Sequence, residues 1–248
     1  MGFVAEGDDG GTQAYHGLLL SIERRAARGV TVNANYTWSH CIGPYGSGLY
    51  STAGLNPNVT NSAPNNRNFD QGNCDSDRRQ IFNLTSVAET PQFGNRTVRV
   101  LATGWRLSGI YRRSSGNPLN IVSGQDRALS GTSNQRADQI SGTAYSGSDG
   151  PLTNYLNPAA FALPASGTFG NMRYNSLVGP ATWSFDMALS RGFQIYEKQR
   201  IEFRAEAFNL TNSFRPQNPS TSLASNTFGQ IRSSYDPRIM QFALKYIF

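Results

Sequence analysis

Residues 237–248, PRIMQFALKYIF, alternate strictly between two kinds of side chain. One set is large and apolar at every position, and its members are Met240, Phe242, Leu244, Tyr246 and Phe248. The other set includes Gln241 and Lys245. A period of two residues is typical of a β-strand whose two faces meet different surroundings. This stretch therefore predicts a strand with one wholly apolar face, and that face needs an apolar environment along its whole length.

Four further segments alternate in the same way, and two, 15–24 and 81–89, alternate less cleanly, which gives seven predicted strands. The six segments are YHGLLLSIER (15–24), VTVNANYTWS (30–39), IFNLTSVAE (81–89), GWRLSGIYR (104–112), TWSFDMALS (182–190) and RIEFRAEAF (200–208). Strands of about nine to eleven residues suit a tilted crossing of a bilayer. Helical periodicity is nearly absent, and the best helical candidate, 157–165, has a proline near each end that limits it to about one turn.

The connections between the predicted strands are alternately short and long. The short ones are 26–28, 91–104 and 194–199, and the long ones are 42–78, 115–181 and 212–237. In an up-and-down meander, alternate connections lie on the same rim, so all the long ones share one rim. Outer-membrane barrels have short periplasmic turns and long extracellular loops. The pattern therefore predicts an all-β, antiparallel, up-and-down transmembrane β-barrel with three extracellular loops.

Aromatic residues fall at two heights along the predicted strands. Trp38, Phe82, Tyr111 and Trp183 lie near the long loops, whereas Trp105 and Phe193, with Tyr246 and Phe248, lie near the short turns. Bilayers favour aromatic side chains at their two interfaces. Cross-strand aromatic pairing in a soluble sheet is the alternative, but it does not account for the asymmetry of the loops. We therefore interpret the two groups as an aromatic girdle.

Composition argues against two other classes of protein. No stretch approaches the roughly 18–20 consecutive apolar residues that a membrane helix requires. The net charge is +6, but no run of Lys and Arg exceeds two residues. A nucleic-acid partner, which needs a clustered basic surface, is therefore not expected.

Charged residues on the other faces of the strands are the best functional candidates. In a membrane barrel the outward face must be apolar, whereas the inward face can be charged because it meets water or a plug. These side chains either contact a plug or a solute, or they pair with each other across neighbouring strands. The candidates facing the lumen are Arg106, Arg112, Asp186, Arg200, Glu202, Arg204 and Glu206.

The number of strands and the N-terminal sequence suggest a longer protein. Bacterial single-chain barrels have an even number of strands, but seven are predicted here. The first residues, MGFVAEGDDGG, lack the basic and apolar regions of a signal peptide. We therefore expect residues 1–248 to be the C-terminal part of a larger barrel protein.

Five longer blocks of the sequence contain most of the predicted strands. They are AYHGLLLSIERRAARGVTVNANYTWSHC, FDQGNCDSDRRQIFNLTSVAETPQFG, GWRLSGIYRRSSGNPLNI, NMRYNSLVGPATWSFDMALSRGFQI and RIEFRAEAFNLTNSFRPQNP. These blocks resemble TonB-dependent receptors of the Oar-like type, in the order that family has them. The final strand is also similar to the C-terminal signature of outer-membrane proteins.

The resemblance implies a 22-stranded barrel in the bacterial outer membrane, in contact with its lipid. It also implies an N-terminal plug and uptake of a small or oligomeric solute driven through the TonB protein. The chain then corresponds to the end of the barrel, without plug or signal peptide, so the TonB system would act only through the missing N-terminal part. The apolar residues of the last strand, Met240 to Phe248, correspond to the signal that the barrel-assembly machinery reads.

The two cysteines, Cys41 and Cys74, lie at the two ends of one long loop. Adjacent antiparallel strands bring these ends together, and the cell surface is oxidising. We expect a disulfide that closes the loop, and two unpaired thiols are the alternative.

Other chemical groups give no catalytic or metal site. Asp70, Asp75 and Asp77 lack the spacing of an EF-hand, so we expect solvated loop polarity, with calcium binding as the alternative. His16 and His40, the only histidines, have no catalytic partner in the sequence. We therefore expect no cofactor and no enzymatic activity.

Three functions remain open at this stage. The first is a receptor barrel for solute uptake. The second is a passive outer-membrane channel, or an adhesin that presents the loop 115–181. The third is a secreted soluble β-protein with an enzymatic role, although no catalytic group supports it.

Overall fold

The computed structural model of the protein describes residues 12–27, 29–44, 66–131, 135–147, 154–196 and 199–248. One α-helix, α1 (Arg96–Ala102), and 3-10 helices at Arg67–Asp70 and Pro158–Ala160 occur in these residues. No helix in this part of the chain is long and apolar enough to span a membrane. The strands, in chain order, are β1 (Ala14–Ala27), β2 (Val30–Gly43), β3 (Gly72–Asn73), β4 (Gln80–Glu89), β5 (Trp105–Ser114), β6 (Pro118–Leu119), β7 (Asp138–Gln139), β8 (Phe161–Ala162), β9 (Leu177–Val178), β10 (Thr182–Gln194), β11 (Arg200–Phe208) and β12 (Ile239–Ile247).

Seven long strands form one antiparallel sheet in the order β1-β2-β4-β5-β10-β11-β12. Strands that follow each other along the chain are neighbours in space, apart from short strands within the long loops. The predicted all-β, up-and-down architecture is therefore confirmed. The sheet is not closed within the described residues, where β1 and β12 form its two edges.

The pairing register places mainly apolar side chains on one face of the sheet and mainly polar or small ones on the other. One row of directly opposed residues is apolar throughout, and the next row along the strands is polar or small. The apolar row runs through Val30, Ala88, Leu107, Leu189, Ala205 and Phe242. The second row runs through Glu89, Arg106, Ser190, Arg204 and Ala243. The face that holds the first row is called the apolar face below, and the opposite one the polar face.

The apolar face of the sheet is largely uncovered. Ile22 on β1 is 70% exposed and Leu244 on β12 is 71% exposed. Soluble monomers rarely expose continuous apolar patches larger than a few hundred Å². This face therefore favours an apolar environment such as hydrocarbon, since its exposure to water would be unfavourable.

The helix lies at a different place from the predicted helical candidate. Residues 157–165 contain only the short 3-10 turn Pro158–Ala160, after which the chain joins β8. The α-helix α1 lies instead in the short connection between β4 and β5. The side chain of Asn95 caps it by accepting hydrogen bonds from the backbone N–H groups of Thr97 at 2.9 Å and Val98 at 3.3 Å. Asparagine is among the best N-cap residues. This cap favours a helix here although Thr97, Val98 and Val100 are β-branched residues, which have low helix propensity.

The buried apolar core of the described chain lies in the long loops and not under the sheet. The loops 115–181 and 209–238 pack together, and the rings of Phe161 and Phe228 meet edge to face at 5.5 Å. A backbone hydrogen bond from Val122 to Thr221 at 3.0 Å also joins them. The members of the core are Leu119, Ile121, Ala137, Ala144, Leu156, Ala160, Phe161, Met172, Leu177 and Phe228. Together with 66–79, the described residues of these loops are called the loop cap.

A buried ion pair ties the loop after β2 to the rest of the cap. The guanidinium group of Arg136 pairs with the carboxylate of Asp70, and both side chains are almost fully buried. Arg136 also lies over the ring of Phe69, at 4.2 Å from its centroid. Its Nε donates a hydrogen bond to the carbonyl of Met172 at 2.8 Å. This pair holds the segment 66–79 against the loop 115–181.

The prediction that the aspartates of this loop are merely solvated is wrong. Asp70 and Asp77 are buried, and Asp77 accepts a hydrogen bond from the backbone N–H of Cys41 at 2.8 Å. Asp75 accepts hydrogen bonds from the hydroxyl of Tyr174 and from the side-chain amide of Asn175. The carboxylates therefore join segments of the cap, because buried charges need partners.

We predict that Asp70→Asn loosens the loop cap. The substitution leaves the buried guanidinium of Arg136 without its counter-ion, a change that costs about 3–5 kcal/mol in comparable buried pairs. Hydrogen exchange at the backbone amide of Ala137, which donates to Ile121, should become faster. The matched control is Asp236→Asn, which changes an exposed carboxylate of the same cap and should leave exchange unaltered. Equal protection of Ala137 in both variants would contradict the prediction.

Candidate functional site on the polar face of the sheet

A cavity of about 330 Å³ lies against the polar face, over strands β5, β10 and β11. It is lined by two cationic and three anionic side chains, together with small residues such as Ser108 and Ser190. The charged members are Arg106, Asp186, Glu202, Arg204 and Glu206. The structure therefore brings five of the seven predicted lumen candidates to one place.

The other two lumen candidates lie elsewhere on the same strands. Arg200 contributes to a second cavity of about 590 Å³ near the ends of the short turns, which Arg106 and Glu202 also line. Arg112 lies farther toward the long loops, opposite Ser184 and Asn83. Both keep the parity that the sequence predicts, but neither lines the first cavity.

Strand register explains why these charges meet. Ser190 on β10 lies opposite Arg106 on β5 and opposite Arg204 on β11. A small residue between two cations leaves room for both long side chains over the middle strand. The cavity therefore results from alternation of large and small residues along one row of the sheet.

Several of the charges have partners within the wall. Arg106 lies 3.6 Å from Glu89 on β4, and Arg204 lies 2.5 Å from Glu206 on the same strand. Asp186 accepts a hydrogen bond from the backbone N–H of Asn209 at 2.8 Å. The contact between Arg106 and Glu89 joins neighbouring strands, as in the pairing that the sequence left open, whereas Arg204 and Glu206 lie on one strand.

Glu89 and Lys245 also lie on this face and were not among the predicted candidates. Glu89 is the partner of Arg106, and Lys245 on β12 lies opposite Glu202. Parity along the strands would have found both, since Glu89 follows Val87 by two positions and Lys245 follows Gln241 by four.

The predicted girdle residues lie on the apolar face at two levels. The ring of Tyr111 lies 6.1 Å from that of Phe82 and 6.0 Å from that of Trp183, between centroids. Trp38, on the same face of β2, is 53% exposed. At the other end of the strands, the guanidinium of Arg191 lies 5.2 Å from the ring of Trp105 and 4.7 Å from the ring of Phe193.

The residues predicted to form the assembly signal occupy the outer edge of the sheet. Strand β12 pairs with β11 alone among the described strands. Its five signal residues are all exposed, and the rings of Tyr246 and Phe248 lie 6.0 Å apart. The apolar side chains of this segment are thus accessible at the edge of the sheet as well as on its face. They are Met240, Phe242, Leu244, Tyr246 and Phe248.

The structure joins Cys41 to Cys74 in a disulfide, with a Cα–Cα distance of 5.4 Å and a separation of 33 positions. The segment around Cys74 is also hydrogen-bonded to the loop 115–181. The side-chain amide of Asn73 donates to the carbonyl of Asn175 at 2.8 Å, and that of Asn175 donates to the carbonyl of Asn73 at 2.8 Å. The disulfide therefore anchors one side of the loop cap to the end of β2.

The described residues hold no cluster of three or more His, Cys, Asp or Glu side chains suited to a metal ion. His16 and His40 lie directly opposite each other on β1 and β2, a pairing that the sequence analysis missed. The ring of His40 is hydrogen-bonded to the side-chain oxygen of Asn73 at 2.9 Å.

Two tyrosines of the loop cap hold the backbone of β9. The hydroxyl of Tyr155 donates to the carbonyl of Val178 at 3.0 Å, and the hydroxyl of Tyr145 accepts from its N–H at 2.9 Å. Burial, assisted by the nearby Tyr145, raises the pKa of Tyr155 to about 12. The neutral phenol is therefore the form that the cap stabilises.

Comparison with known families gives one match. A family model described as an outer membrane beta barrel domain matches residues 2–241. Neither the curated proteins nor the solved structures contain a significant match.

We predict that removal of the disulfide destabilises the cap. In the chain-entropy account, a loop of this length is worth about 3–4 kcal/mol. The double substitution Cys41→Ser and Cys74→Ser should speed hydrogen exchange in β9 and in the segment 72–77. Treatment of the unaltered protein with a reducing agent should give the same change. If exchange stays as slow as in the oxidised protein, the disulfide does not hold the cap together.

We also predict that the cap loses stability in strong alkali. The pKa of Tyr155 is higher in the folded protein than its ordinary value of 10.0. Its contribution is therefore fully present below pH 10 and is lost as the pH rises toward about 12. Thermal unfolding measured across this window should show a steeper fall for the unaltered protein than for Tyr155→Phe. Parallel curves for the two proteins would contradict the prediction.

Proposed function

We propose that this chain, which belongs to the family of outer membrane beta barrel domains, forms part of the wall of a TonB-dependent receptor of the Oar-like type. In this proposal the complete receptor takes up a solute across the outer membrane. The chain is a protein of the bacterial outer membrane. The finer assignment, to a receptor for energised uptake, is supported by the charged cavity, by the loop cap and by the resemblance of the strand blocks.

The charged cavity on the polar face carries the proposal. Five ionisable side chains surround a space of about 330 Å³, and the opposite face of the same strands is apolar and exposed. A barrel built this way turns its charges toward an enclosed aqueous interior and its apolar residues toward lipid. A solute or plug in that interior would contact Arg106, Asp186 and Glu206 directly.

The loop cap favours a receptor over an open pore. Two of the long loops, 115–181 and 209–238, share an apolar core, and the buried ion pair of Asp70 with Arg136 joins the third to them, on the rim that the proposal assigns to the cell exterior. Packed loops of this kind present a defined binding surface, since side chains in such a core hold fixed positions. A freely permeable channel has no need of so ordered an entrance.

Coupling to the proton gradient through the TonB protein is part of the proposal and rests on the resemblance of the strand blocks. An N-terminal plug would mediate it. The proposal includes no enzymatic step, and its partners are outer-membrane lipid, the barrel-assembly machinery and an unidentified solute.

A surface-binding barrel is the second candidate. It is favoured by the size of the loop cap, whose loop 115–181 contributes most of the apolar core. In that case the cap would bind a partner outside the cell, and the polar face would serve only the stability of the wall.

The experiment compares uptake in bacteria with and without the gene for the complete protein. The probes are radiolabelled oligopeptides and oligosaccharides, each supplied with and without a protonophore. Energised transport predicts uptake that requires both the gene and the proton gradient. Uptake that needs the gene but persists with the protonophore would indicate a passive channel. Loss of surface attachment without any change in uptake would indicate an adhesin.

We predict that Arg204→Ala lowers uptake of the transported probe about tenfold, equivalent to about 1.4 kcal/mol, with little change in thermal stability. Arg204 lines the cavity, so its loss should affect the solute. Its side chain is 53% exposed, so its loss should remove little packing. Glu202→Ala should act in the same direction. The matched control is Arg112→Ala, which removes a cation from the same face outside the first cavity. Unchanged uptake with lowered barrel stability would instead assign Arg204 and Glu202 to mutual pairing within the wall.

A further inference from the structure

Helix α1 stands at the rim of the short turns and exposes apolar side chains. Val98, Val100 and Leu101 are 41%, 64% and 67% exposed, and none of the helix is buried. A helix of seven residues is too short to be stable in water by itself. It therefore depends on what holds its ends and on what covers its apolar side.

Two side chains hold the C-terminal end of α1. The indole Nε1 of Trp105 donates to the carbonyl of Leu101 at 2.8 Å. The guanidinium of Arg191 donates to the same carbonyl at 2.8 Å and also to the carbonyl of Val100. Carbonyls at this end of a helix lack partners within the helix and favour cations. The end of α1 is thus fixed to strands β5 and β10.

These two anchors belong to the apolar face of the sheet. Trp105 and Arg191 lie opposite each other in the register, two positions along their strands from the apolar pair Leu107 and Leu189. The helix is therefore anchored through side chains of the apolar face. Trp105 and Arg191 also line the second cavity, at the ends of the strands, but not the first one.

The charge of Arg191 indicates the depth of this site. A cation on the lipid-facing side is far less costly near an interface than at mid-depth. Arg191 is also enclosed by the rings of Trp105 and Phe193, which belong to the lower level of the aromatic girdle. Both observations put the end of α1 at the boundary between hydrocarbon and headgroups.

The apolar surface continues along the same rim beyond the helix. Ile195 and Tyr196, in the turn after β10, are 56% and 68% exposed. The helix itself carries Arg96 and Arg99 and no acidic residue. An apolar side combined with cations is the pattern of helices that lie in the interface of anionic bilayers.

We propose that α1 is an interfacial anchor that lies in the periplasmic leaflet of the outer membrane. Val100 and Leu101 insert among the acyl chains, and the guanidinium of Arg96 contacts the phosphates of anionic phospholipids. The occupant of this surface is therefore lipid, in continuity with the apolar face of the sheet. The inference rests on the orientation in the proposed function, with the short turns on the periplasmic side, but not on the transport activity.

The experiment measures the depth of spin labels in outer membranes isolated from bacteria that make the complete protein. Leu101→Cys, Leu20→Cys and Ile140→Cys are labelled in turn, after mass spectrometry has verified that Cys41 and Cys74 remain joined. Leu20 is the reference for the apolar face. Ile140 is the matched control, because it is 65% exposed in the loop cap.

We expect labels at Leu101 and Leu20 to be reached by oxygen, which concentrates in lipid, and the label at Ile140 by a water-soluble nickel chelate. Access of the chelate to Leu101 while Leu20 stays in lipid would overturn the inference and leave the barrel orientation intact. Protection of Leu101 from both reagents would mean that a protein covers α1, and would also overturn it. Access of the chelate to both Leu20 and Leu101 would overturn the membrane orientation of the sheet as well.

The contact with phosphate has its own readout. Anionic phospholipid that copurifies with the protein should fall about fivefold in Arg96→Gln, the effect expected for one cation near an anionic surface. Arg113→Gln, which changes a cation of the apolar face at the opposite rim, should retain its anionic phospholipid. An equal lipid content in the two variants would overturn the assignment of Arg96.

Discussion

The constraint on which this structure depends is that hydrocarbon cannot hydrogen-bond the backbone, so that only paired strands or helices enter it. Pairing fixes register, and register fixes the face on which every side chain lies. Across the seven long strands the same parity holds, from Leu20 on β1 to Phe242 on β12. Both the charged cavity and the apolar exterior follow from it, since neither can change without the other.

The sheet and the loop cap are stabilised by different interactions. The sheet has no buried apolar core of its own within the described residues, and its strands are held together by their hydrogen-bonded ladders. The loop cap has the opposite arrangement, with a packed core around Ile121 and Leu156 and a buried ion pair, Asp70 with Arg136. The hydrophobic effect stabilises the loop cap, because packing of its core removes apolar surface from water.

Alternation predicted the strands, their order and the shared face of the charged candidates, because a period of two residues is a local property. It could not predict which charges would meet, since Ser190 gives room to Arg106 and Arg204 only through the pairing of three strands. It also missed the burial of Asp70, whose partner is far away in sequence. The cap at Asn95 was a local signal for α1, but the β-branched residues that follow it hide helical periodicity.

The bond between Cys41 and Cys74 also has a consequence for the alignment of the hairpin that it closes. Hydrogen bonds hold both sides of this hairpin in their present alignment. The backbone N–H of Ser39 donates to the carbonyl of Arg79 at 3.1 Å, and the N–H of Cys74 donates to the carbonyl of Cys41. Sliding β2 past β4 by two residues would displace Cys41 by about 6.7 Å. That shift exceeds what a covalent link of this type can span without moving the backbone. The oxidised bond is therefore compatible with the observed alignment of these two strands and not with one shifted by two residues.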